Sequence, residues 1–204
     1  MKQLLFITII ISSITMQSQT QIQAKPIDYK LLKAQLETIR IEDQTLRQLL
    51  PEAEAKFGRN SDELAYIWKL IHEQDSINEK KVLHIIDTYG WLSKNKVGEM
   101  ANQTLWLVVQ HAEIDTQEKY LPYLVTSVNN NESDGWYLAF LKDRILMRNG
   151  KKQHYGTQVK KDKKSGFTYI YPIANAHKVN ERRRAIGLNS IEEYAKTNNY
   201  VLHK

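Results

Sequence analysis

The chain has 204 residues, 42% hydrophobic and 25% charged, which is enough for one real core and sets it apart from disordered or fibrous classes. It contains no cysteine, which excludes disulfides, thiol nucleophiles and lipid attachment through cysteine. The formal net charge is +6, but much of the excess lies between Lys151 and Lys164, so the balance is weak support for nucleic-acid binding by the rest of the surface.

Residues 1–24 read as a secretory signal. Lys2 gives the positive start, and Leu4 to Ile14 is apolar apart from Thr8, Ser12 and Ser13. Such a run is short for a bilayer span and suits a signal core. Cleavage after Ala24 is expected, with Ser18 as the alternative, giving a periplasmic or secreted protein without a stable membrane anchor. Residues 25–204 then form one helical domain.

Tyr29, Leu32, Leu36, Ile39, Asp43, Leu46 and Leu50 follow the three-four spacing of one helix face. Pro51 ends that helix or starts a new turn. Asn60 with Glu63 is a capping box for a second helix carrying Leu64, Ile67, Trp68 and Ile71. The same face continues through Asp75 and Asn78 to Val82, Ile85, Ile86 and Tyr89. Ser76 with Glu79 offers a second capping box, so a break near Asp75 competes with one long helix. Trp91 to Lys96 is a loop. A third helix covers Gly98 to about Ala112, and a fourth starts near Asp115, which is its expected cap. A fifth spans Asp134 to Arg148 and closes at Asn149–Gly150. Gln153–Val159 and Phe167–Ile173 are rich in aromatic and β-branched residues and predict a β-hairpin near 152–173, with a charged, solvated tip at Lys160–Gly166. A short helix over Asn180–Ile186 follows. Asn189 with Glu192 caps a last one reaching about Tyr200. The expected fold is therefore mainly α: an antiparallel helical bundle with a C-terminal β-hairpin and two short terminal helices.

Gly90–Trp91, Val97–Gly98, Gln110–His111–Ala112 with Asp115, Asp143–Arg144, Gln153 with Tyr155–Gly156–Thr157–Gln158, and Arg183 with Gly187–Leu188 occur in this order. Together they resemble an uncharacterised bacterial family catalogued as a domain of unknown function, DUF6624, over roughly residues 30–200. The resemblance implies a mainly helical, often exported domain. It brings no activity, cofactor or catalytic residue.

Polar residues on apolar helix faces are the functional clue, because a buried polar group without a partner costs a few kcal/mol. Asp43, Asp75, Asn78 and Gln110–His111 interrupt such faces. His111 suits proton transfer near neutral pH; alternatively it caps the end of its helix. Asp43 has Arg47 one turn on, which also fits an internal ion pair. Arg144 is placed to clamp an anionic group or to be buried against Asp43 or Asp75. Tyr155 and Gln158 are candidates for a pocket mouth, and Arg183 for tying its short helix to the bundle. His111, Asp43 and Asp75 are thus the catalytic candidates, and Gln110, Asn78, Asp115, Arg144, Tyr155 and Gln158 the ligand-binding ones. One His with two or three carboxylates would suit a metal through nitrogen and oxygen ligands, but His72–Glu73 has no histidine four residues on, so no zinc motif is present, the metal signal is weak and no metal or cofactor is expected. Nucleophile elbows and phosphate loops are missing as well. The expected function is binding or acid–base hydrolysis of a small polar or anionic ligand between helices. A closed structural network made of the same residues is the alternative. Export argues against a nucleic-acid partner.

Overall fold

A computed structural model describes residues 26–202; the expected signal segment lies outside the described residues. Two long helices, α1 (Tyr29–Phe57) and α2 (Asp62–Tyr89), form a hairpin. Its antiparallel sense follows from its polar pairs, since Arg47 meets Asp75 while the earlier Glu42 meets the later Lys81. Asp28 caps α1 by accepting from the Leu31 amide at 3.0 Å. Pro51 does not end this helix, which runs on to Phe57. Ser61, one residue beyond the expected Asn60, caps α2 through the Leu64 amide.

No break occurs at Asp75, and α2 is continuous. Both Asp75 carboxylate oxygens are occupied by Arg47, so the side chain does not compete for the backbone of the next turn. The expected loop after Trp91 holds one helical turn, α3 (Lys94–Val97). α4 (Glu99–His111) then enters the bundle, followed by α5 (Ile114–Asn129) and α6 (Gly135–Arg148). Glu113, not Asp115, holds the cap position of α5.

α4 is the hub. Its residues 104–110 are all buried, as suits a helix surrounded by α1, α2, α5 and α6. Leu36 of α1, Val82 of α2, Leu105 and Val109 of α4, Leu124 of α5 and Leu141 of α6 have no exposed surface. Each such side chain contributes about 1.5–3 kcal/mol by leaving water. Trp106 stacks on Tyr137 at 5.2 Å and meets Trp136 edge-on, which seals α4 against α6.

The C-terminal part has its own smaller core of Ile170, Val179, Ile191 and Ala195. The hairpin strands are shorter than expected: β1 (Val159–Lys161) pairs antiparallel with β2 (Thr168–Ile170), with Val159 opposite Ile170. A third strand, β3 (Tyr200–Val201), pairs parallel with β2. It replaces the end of the expected last helix, because Asn199 turns left-handed and stops α8 (Ile191–Asn198). α7 (Val179–Ala185) and α8 are the two short terminal helices. Ser190 caps α8 through the Glu193 amide. The expected cap, Asn189, serves Arg183 instead. Gly135 lets α6 begin against the backbone of Ile186, where a Cβ atom would collide with the carbonyl. No helix among the described residues is long and apolar enough to cross a membrane.

Candidate functional site at the junction of three helices

Asp43 of α1, Asp75 of α2 and His111, the last residue of α4, converge where the α1–α2 hairpin meets the end of α4. Each was a candidate by its interruption of an apolar face, and the fold brings the three together. The Asp43 side chain is 1% exposed, and that of His111 is 20% exposed. His111 Nδ1 lies 3.1 Å from Asp43 Oδ2. Arg47, one turn along α1, places Nη1 3.3 Å from the same oxygen and also donates to the Asp43 carbonyl at 2.9 Å. Its Nη2 donates to both Asp75 oxygens, at 2.9 and 2.8 Å. Gln44 donates to the other Asp43 oxygen.

Burial pushes the Asp43 carboxyl up, but the hydrogen bond and charge of His111, the Gln44 amide and the Arg47 charge together outweigh it. The carboxyl is held below its ordinary value, so Asp43 is ionised near neutral pH. An ionised carboxylate only accepts hydrogen bonds. A neutral His111 therefore carries its proton on Nδ1 and presents the Nε2 lone pair outward. The fold thereby sets the tautomer.

A small cavity adjoins this pair, lined by Asp43, Asp75, Glu79, Val108, His111 and Ala112, with room for about one water molecule. Glu79 follows Asp75 by one turn, and it accepts from Thr116 at 2.8 Å. Sequence reasoning missed it by assigning it to a capping box; its spacing of four from Asp75 was the available signal.

The other candidates divide. Asn78 is fully buried, its Oδ1 accepting from Gln74 at 2.9 Å while its Nδ2 has no partner. Gln110 is buried with both side-chain polar atoms unpartnered, and its carbonyl accepts from Gln117 and Arg144. Arg144 forms no ion pair among the described residues; the guanidinium that serves Asp43 and Asp75 is Arg47. Arg144 braces the last turn of α4 instead, and Arg148 does the same through the Ala112 carbonyl at 2.9 Å. Asp115 is exposed in the first turn of α5.

Tyr155 and Gln158 are buried in a second polar cluster and touch none of Asp43, Asp75 and His111 by any described hydrogen bond. That cluster is built on Asp143, which has no exposed surface. Its carboxylate accepts from the backbone amides of His154 at 2.6 Å, Tyr155 at 2.9 Å and Thr157 at 2.9 Å, and from the Thr157 hydroxyl at 3.0 Å. Gly156 turns the chain with φ +83°, where a Cβ would strike Ile173 and Ile191. Gln153 holds the Gln158 amide and carbonyl. Arg183, 2% exposed, donates to the Tyr155 carbonyl at 2.8 Å and the Asn189 carbonyl at 2.7 Å, tying α7 to the loop. Segment 153–158 is thus a loop wrapped on a carboxylate rather than part of a strand. Burial pushes the neighbouring His154 down to about 4, with the Lys142 and Arg182 charges adding to it, so its ring is neutral.

The model of DUF6624, a family of unknown function, matches residues 30–202. The chain belongs to this family. The match spans both polar clusters and both cores. No curated protein and no solved structure matches the chain.

Proposed function

We propose that the chain carries out acid–base hydrolysis of a small polar molecule at the helix junction, with His111 moving the proton and Asp43 orienting it. The observation that supports this is the 3.1 Å contact from His111 Nδ1 to a buried, ionised Asp43, in a histidine whose side chain is 20% exposed. A histidine anchored on one nitrogen and open on the other is the arrangement that general base catalysis requires. Arg47, itself held by Asp75, meets the same Asp43 oxygen as His111. Three carboxylates line the cavity, so a neutral or cationic substrate fits better than the anionic one that Arg144 suggested. Export through residues 1–24 belongs to the same proposal; N-terminal sequencing of the protein from culture fractions checks it.

A closed internal network is the second reading, favoured by the small size of the cavity and by Arg47 bridging Asp43 and Asp75. Nitrogen NMR on the His111 ring together with turnover of small esters and amides separates the two. The acid–base reading expects the Nδ1–H tautomer, and a loss of at least about 100-fold in turnover on His111→Gln with the fold retained. Equal turnover by wild type and His111→Gln sinks it.

A further inference from the structure

The helix junction gathers carboxylates around one imidazole. Asp43, Asp75 and Glu79 line the cavity together with His111, and Arg47 is the guanidinium that pairs with Asp43 and Asp75. Glu79 is met there by the Thr116 hydroxyl, and it takes part in no ion pair among the described residues. We infer that the junction binds one divalent cation through Asp43, Asp75 and His111, an inference that rests on reading this junction as a working site.

The geometry suits an ion. One ligand atom from each of the three residues lies within 4.8 Å of the others. Two ligands each about 2.1 Å from an ion stand about 3.0 Å apart at right angles and about 3.4 Å apart at the tetrahedral angle of zinc. The observed His111 Nδ1 to Asp43 Oδ2 distance is 3.1 Å, so the gap that a proton closes also fits an ion. The cavity has room for about one water-sized body. One imidazole with carboxylates suits zinc, manganese or iron(II), while calcium asks for six to eight oxygens that are not assembled here.

Arg47 does not exclude the ion. An ionised carboxylate has about four lone-pair sites. Arg47 uses one site on each Asp75 oxygen, and its approach to Asp43 Oδ2, at 3.3 Å, is longer than the about 2.7–2.9 Å of a tight charged bond. One coupled change follows. For Nδ1 to ligate the ion, the ring proton leaves Nδ1, and the neutral imidazole takes a proton on Nε2, so no net proton is gained or lost. Loaded and free forms therefore present opposite faces of the same acid–base group: a donor at Nε2 with the ion, an acceptor without it.

Zinc titrated into the protein, followed by calorimetry and by nitrogen NMR of the His111 ring, tests this. The expected result is one zinc per chain, a switch of His111 from the Nδ1–H to the Nε2–H form, and higher thermal stability. Affinity should fall in Asp75→Asn and in His111→Gln by at least the roughly 10-fold that even an outer partner of a metal ligand is worth. Absence of binding, an unchanged His111 signal, or binding undiminished in both variants overturns the inference. The two readings also fail separately. Without zinc binding but with turnover lost in His111→Gln, the cation falls and the acid–base site stands. With zinc bound at His111 but turnover retained in His111→Gln, the cation stands and catalysis by His111 falls.

Discussion

Asp43 and Asp143 are both buried carboxylates on helices, and they are satisfied in opposite ways. Asp143 accepts from three backbone amides and a threonine hydroxyl, none of which titrates near neutral pH. Its lone pairs are consumed by the chain itself. Asp43 is satisfied by side chains, His111, Arg47 and Gln44, beside a cavity. Backbone donors cannot move without unfolding the loop, whereas side-chain donors can change partner or protonation. A buried charge alone therefore does not mark a site. The kind of partner decides, because only exchangeable partners let a carboxylate take part in chemistry.

Replacing each carboxylate sharpens this contrast. Asp143→Asn turns an acceptor into a donor facing backbone amides, and it should cost about 3–5 kcal/mol of stability in denaturant unfolding. A loss under about 1 kcal/mol would show that the loop does not depend on the carboxylate. Arg183→Met keeps the apolar stem but leaves the Tyr155 and Asn189 carbonyls without their donors. It should cost about 2–3 kcal/mol, and hydrogen exchange should rise first at residues 153–158. Asp43→Asn should cost less, about 1–3 kcal/mol, because Arg47 keeps Asp75 as a partner and reaches solvent. His111→Gln should change stability by under about 1 kcal/mol while abolishing turnover; a larger loss would move the junction toward the closed network.

The smallest effect is in pH. Asp43 is held below its ordinary value, so its contribution is fully present above about pH 4 and lost as pH falls through the folded-state value. The stability gap between wild type and Asp43→Asn should therefore narrow in melts taken from about pH 6 down to about pH 3. Asp143 is pushed up by burial against the pull of its backbone and threonine donors, so its contribution runs the other way and weakens as pH rises through its folded-state value. A gap for Asp43 that stays constant with pH would remove the difference between the two carboxylates.

The helix faces could be read from sequence because burial repeats with the helical period. Leu32, Leu36 and Ile39, then Val82, Ile85 and Ile86, fall inside as their spacing requires. Helix starts were read one residue early at Asn60 and Asn189, since Asn and the adjacent Ser are both good caps and only the local backbone chooses. Strand β3 was not readable, because a two-residue strand has no period and exists only by pairing with β2.

The sequence by itself determined which polar residues sit on apolar faces, the mainly helical class and the order of the elements, since these depend on local spacing and propensity. Tertiary structure decided which of those residues meet. Asp43 and His111 are 68 positions apart, and nothing local separates their contact from one with Arg144 or Tyr155. It also decided that Arg47, rather than Arg144, supplies the guanidinium, because helix packing sets which of several similar side chains lies within about 3 Å of a buried charge. The same packing gave Asp143 its four donors, a distinction that no spacing rule carries.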